Sequence, residues 1–307
     1  MEAAATSASA PVSSPPPKAP WAISFGPGLV FVLTVVGPAD LVSNTTVGAT
    51  FGCALIWVLA LTVVCRFVWL NTSAKYVMVT GESLLGGFGR LGTGLVWVVL
   101  VALILVRHFS NLYKVVLIGS TVNFLAPLPT SFSSTIWSLL FTLLGFGMAF
   151  WGGYPLLERY FKVLIAMMGG GLVLAAVLSG PKPAEILQGA LIPTLPGSQG
   201  LYSSILLLTA LMGTGAGSLT NVTYSYYLHQ KGWRDVSFLQ RQRSDLILSA
   251  CAIFAMRALT QVAAAGTLHP LGISPEGAEH LVQVFSQTLG RPGKLIFGFG
   301  LWAAAFA

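Results

Sequence analysis

Eight apolar runs divide this chain, each near the ~20 residues that a helix needs to cross a bilayer. The runs cover about Phe25 to Phe51, Ala54 to Val79, Gly94 to Phe124, Ser134 to Gly153, Phe161 to Leu178, Ser203 to Leu228 and Leu246 to Leu268; an eighth starts near Leu295. Charged residues make up 8% of the sequence, against about 25% in a soluble domain. So few charges cannot cover a water-facing surface. The expected fold class is therefore all-α and polytopic transmembrane, with most of the surface facing lipid.

The remaining composition narrows the function classes. The net charge of +7 sits mostly in short segments between apolar runs, a pattern that fits membrane orientation and not nucleic acid. With the N-terminus cytoplasmic, inner segments carry Lys18, Arg90, Arg159, Lys162, Lys231, Arg234, Arg241 and Arg243. The outer ones carry Lys182, Arg291 and Lys294, so the count of eight against three favours that orientation. The expected location is a bacterial inner membrane. Cys53, Cys65 and Cys251 form no CxxC pair or zinc spacing, and no HExxH, GxSxG or P-loop suggests an enzyme. No cofactor is expected. Residues 1–20, rich in Ala, Ser and Pro, read as a disordered tail.

Two runs are interrupted. The first contains Gly37-Pro38-Ala39-Asp40 and the sixth Gly213-Thr214-Gly215-Ala216-Gly217-Ser218. Broken backbone at membrane depth is tolerated only where it is buried or lines a cavity. The runs lie five spans apart and cross the membrane in opposite directions. That pattern predicts an inverted repeat whose broken helices meet at a mid-membrane site. The repeats are expected at 21–181 and 182–307. Both breaks, Gly37 to Asp40 and Gly213 to Ser218, are expected to be non-helical. Gly169-Gly170-Gly171 reads instead as an allowance for close helix packing.

Asp40 is the one acid near the middle of a span. A bare carboxylate there costs roughly 2.5–3.5 kcal/mol on insertion scales, so a cation, a proton or an arginine must compensate it. Capping the outer half of the first span is the alternative role. Arg66, Arg107, His108, Lys114 and Arg257 also fall within spans. They suit ion pairs, helix ends or interfacial snorkelling; the sharper reading is a proton or anion path.

At these residues the chain resembles the Nramp (natural-resistance-associated macrophage protein) divalent metal transporters. Gly26-Pro27-Gly28 resembles the start of that family's first helix, and Gly37 to Asp40 falls where the family has Asp-Pro-Gly-Asn. Asn221 to His229 resembles the stretch after the family's Met-Pro-His, and Phe297 to Ala307 the start of its eighth helix. The resemblance, from about Trp21 to the end, implies a LeuT-like inverted-repeat fold, here truncated in the eighth helix. It implies a divalent metal ion as substrate. The family's metal-binding Asp aligns with Gly37, its Asn with Asp40, its carbonyl ligand with Gly215, its Met with Ser218 and its His with Thr220. This places the chain on an outlying branch.

Asp40, a carbonyl at Gly37 or Gly215, the Ser218 hydroxyl and the Asn221 amide would form an oxygen-only set. Such a set suits Mg²⁺, Ca²⁺ or Mn²⁺. The alternatives are a LeuT-fold carrier of amino acids or other small solutes, and a non-transporting membrane sensor or decayed paralogue. The expected partners are the metal ion and the lipid bilayer, with no nucleic acid; the oligomeric state is open.

Overall fold

The computed structural model describes residues 28, 32, 35–151, 153–197, 204–216, 219–273, 275, 290, 294–295 and 298–306. Among them, every regular element is helical. In chain order these are α1 (Pro38–Phe51), α2 (Ile56–Thr80), α3 (Leu84–Leu91), α4 (Thr93–Leu125), α5 (Ser133–Trp151), α6 (Gly153–Leu178), α7 (Pro183–Leu191) and α8 (Ser204–Gly215). A 3₁₀ turn over Leu219–Thr223 leads into α9 (Tyr224–Gln230). A second, Val236–Phe238, leads into α10 (Leu239–Thr267), and α11 occupies 298–306.

Helices α2, α4, most of α6, and α10 with its flanking turns are long and apolar enough to cross a membrane. Their ends lie close to the apolar runs, because hydropathy and bilayer thickness set both. Two short helices, α3 and α7, were not expected. Ser83 starts α3 by accepting the Gly86 N–H, and Pro183 occupies the first turn of α7. Large apolar side chains on α4, among them Trp97, Val98, Ile104, Phe109 and Val116, stay exposed, as a lipid-facing helix requires.

The core is built around α1 and α10. Leu41 and Ala49 of α1 join Ile56, Leu70, Leu164, Met168, Ile253 and Met256 in one buried cluster. A second cluster joins Val47 and Phe51 to Leu55, Val58 and Leu59, and to Leu207 and Leu211 of α8. Helices α1 and α10 touch backbone to backbone: a Cβ at Gly48 would collide with the Gln261 carbonyl and Ala264. The Gln261 amide donates to the Gly52 carbonyl at 3.0 Å. At the other end, the Gly28 N–H donates to Asp245 Oδ2 at 2.7 Å. That acid of α10 gives Gly28 a partner that sequence reading missed.

Both interruptions are present, but neither has the expected bounds. Among the described residues, Val36 and Gly37 leave the helix at the first; Pro38, Ala39 and Asp40 already belong to α1. Proline has no N–H to lose in a first turn, so Pro38 starts a helix here and does not break one. Gly213 and Gly215 likewise remain inside α8, and the chain turns only at Ala216. Around Gly169 and Gly170 of α6 no described atom lies within contact of an added Cβ, so close packing does not explain these two glycines.

Candidate functional site

The restart at Pro38 puts Asp40 in the first turn of α1, where a negative charge meets the positive end of the helix dipole. The residue is 2% exposed. Arg257 of α10, itself fully buried, places its Nη2 3.0 Å from Asp40 Oδ1. The same Nη2 donates to the Leu211 carbonyl at 3.0 Å and to Thr214 Oγ1 at 3.2 Å, while Nη1 donates to Thr62 Oγ1 at 2.9 Å. An Nη2 carries two hydrogens, and both already point at oxygens of α8. Asp40 is therefore held by charge, and neither of its oxygens accepts a well-aligned hydrogen bond from any described residue.

The end of α8 is the other half of the arrangement. Its last carbonyls have no partners within the helix and form the negative end of its dipole. Arg66 of α2 meets that need, its Nη2 donating to the Thr214 carbonyl at 3.0 Å, and Arg257 adds a positive charge one turn earlier, at the Leu211 carbonyl. Arg66 is 2% exposed and keeps its Nε and Nη1 unpaired among the described residues. Gly215 permits this closeness, since a Cβ there would strike Arg257 and Thr62.

Beside this cluster lies a half-open cavity of about 400 Å³. One wall is Gly37 of the first break with Pro38 to Asp40 after it; another is Gly213 and Thr214 of α8 with Leu219 of the turn that follows; a third is α4, with Arg107, Ser110, Tyr113 and Lys114. The two interruptions thus face one space. Gly37, Asp40, Arg107 and Lys114 line it, and Arg257 adjoins it through Asp40. The Gly37 carbonyl accepts the Asp40 and Leu41 N–H groups, so the start of α1 already uses it.

Three other residues singled out from the sequence stand apart. Gly215 packs against Arg257 and does not line the cavity. Asn221 is fully buried and turns its amide back to the Ala216 carbonyl at 3.3 Å, bracing the second break. His108 does not line the cavity and lies edge-on to Phe109. Ser218 lies outside the described residues. Thr62 was not anticipated, because a threonine in an apolar helix carries no mark of the arginine it will meet. Among the described residues, no three His, Cys, Asp or Glu side chains gather as a metal-binding group.

A helical bundle with two interrupted helices around a buried charge cluster defines a polytopic membrane protein of LeuT-like fold. Residues 28–307 match the family model described as "Natural resistance-associated macrophage protein-like", and the chain belongs to that family, Nramp. A divalent metal cation transporter, MntH, of Chromohalobacter salexigens is 27% identical over 72% of this chain and 49% of its own length. The MntH of Mycobacterium tuberculosis is 27% identical over 94% of this chain and 68% of the relative. A crystal structure of a mutant Eremococcus coleocola manganese transporter superposes with a TM-score of 0.76 at 14% identity; the match covers 95% of this chain and 64% of that one. The chain thus spans about half to two thirds of the length of these proteins.

Proposed function

We propose that this chain is part of a secondary transporter that moves divalent metal ions, of Mg²⁺ or Mn²⁺ type, through its two interrupted helices. The observation that carries the reading is Asp40, a buried carboxylate with no aligned hydrogen bond from a described residue, on the wall of a cavity that both interruptions share. The names of its relatives point the same way, and we propose no enzymatic activity. A dication would take Asp40 and the Ser218 hydroxyl as oxygen ligands, and the Gly37 carbonyl once the first turn of α1 releases it. Gly215 and Asn221 would reach it through rearrangement of the second break. To bind, the ion must displace Arg257 from Asp40, so loading is coupled to a shift between α1 and α10.

The same reading places the N-terminus in the cytoplasm of a bacterium, with the protein in the inner membrane. The expected tail at residues 1–20 lies outside the described residues; residues 21–181 would form the first repeat and 182–307 belong to the second. The positive-inside count and the bacterial relatives support this arrangement.

Selectivity supplies the test. With Ser218 in place of a sulfur ligand and Thr220 in place of a histidine, soft metals gain no thioether, and no imidazole stands ready to exchange protons. Ser218→Met should raise Mn²⁺ or Cd²⁺ uptake into proteoliposomes relative to Mg²⁺. A pH-sensitive dye inside should show no metal-driven acidification with the unmodified protein. Strong Cd²⁺ preference before the change, or clear acidification, contradicts the reading.

A further inference from the structure

We infer that the wall of the cavity formed by α4 is a binding site for a small oxyanion, of carboxylate or phosphate type. Arg107, Ser110 and Lys114 recur at intervals of three and four along a 33-residue helix that is otherwise largely apolar. This spacing puts them on one stripe, and all three line the cavity of about 400 Å³. Lys114 makes no hydrogen bond or ion pair with any described residue. Arg107 makes one long contact, Nη2 to Thr223 Oγ1 at 3.4 Å. The charge across the cavity does not balance them. Asp40 is the acid on its walls, and Arg257 already holds it at 3.0 Å. Arg66 adds a further cation behind the same cluster.

Two cations in one cleft at membrane depth, without a carboxylate of their own, carry an unrelieved electrostatic cost. An oxyanion relieves it. The guanidinium offers a planar fork to two oxygens, the ammonium a point charge, and Ser110 a hydroxyl donor. The positive end of α1 opens into the same space. The volume lies in the range of small-molecule sites. Bound there, the anion also lowers the repulsion that Arg107 and Lys114 would exert on a dication at Asp40. The inference stands on the cavity wall and holds whether or not the chain carries metal.

The full chain in detergent should be titrated calorimetrically with inorganic phosphate and with succinate, and with chloride as a monatomic control. Saturable binding of at least one oxyanion is expected. Arg107→Gln and Lys114→Gln should each weaken it about tenfold, the worth of one charge-assisted hydrogen bond. Lys182→Gln, far from the cavity, should leave it unchanged. A measurement on the unmodified protein covers the case of poorly folded variants. Amine labelling of Lys114, read by mass spectrometry, should slow when the oxyanion is present. Absence of saturable binding, equal binding of chloride, or labelling that ignores the oxyanion would overturn the inference. Failure of metal uptake alone would leave it standing.

Discussion

Arg257 decides how this site behaves. It contacts Asp40, two oxygens of α8 and Thr62 at once, from a position with no solvent exposure. Removing one partner of a buried pair typically costs 3–5 kcal/mol, because the other charge is left without compensation. Arg257→Gln should therefore lower the thermal unfolding temperature sharply in detergent. Adding Asp40→Asn to it should recover part of the loss. Millimolar Mg²⁺ or Mn²⁺ should also stabilise the single mutant more than the parent, since the ion takes the vacated place. Equal stabilisation of both proteins would show that the carboxylate is not the cation's ligand. Gly215 is a second sensitive point. Gly215→Ala pushes a methyl group into Arg257 and Thr62 and should cost about 1–3 kcal/mol, as overpacking does. A neutral result in the same unfolding measurement would mean that the guanidinium can step aside freely. The sequence told that Asp40 needed compensation. It did not tell which of Arg66, Arg107, Lys114 and Arg257 would supply it, because all four are cations within apolar runs. Only the packing of α10 against α1 and α8 chooses among them.

The elements were more legible than the contacts between them. Helix lengths and approximate ends followed from hydropathy, since membrane thickness is an external ruler. The positions of the interruptions followed from glycine and proline, though their extent did not. Pro38 looked like part of a break and is the first residue of a helix. Gly213 and Gly215 looked like the second break and end α8 instead. The cavity-lining stripe on α4 could have been found from its spacing; the direction in which it faces could not. The second interruption carries its own expectation. A 3₁₀ turn over Leu219–Thr223 has poorer hydrogen-bond geometry than the helices around it. Peptides over this turn should exchange amide hydrogens faster than peptides from α2 or the middle of α10. Protection equal to that of α10 would make the turn a rigid strut and remove it as the moving part of a transport cycle.

At the scale of the whole molecule, the proposed function calls for a cation, while the resident charges resist one. Asp40 stands among Arg66, Arg107, Lys114 and Arg257. An ion that binds here must draw on Asp40 for its charge and on neutral oxygens for the rest, with hydration partly kept. The account thus makes one acid indispensable in a protein with nine Asp and Glu residues. The direct test is calorimetric titration of the purified, full-length protein and its Asp40→Asn variant with Mg²⁺ and Mn²⁺, each shown to be folded by gel filtration. The parent should bind at least one of the two ions, and the variant should bind neither. Equal affinity in both proteins would reduce Asp40 to the ion-pair partner of Arg257 and contradict the account.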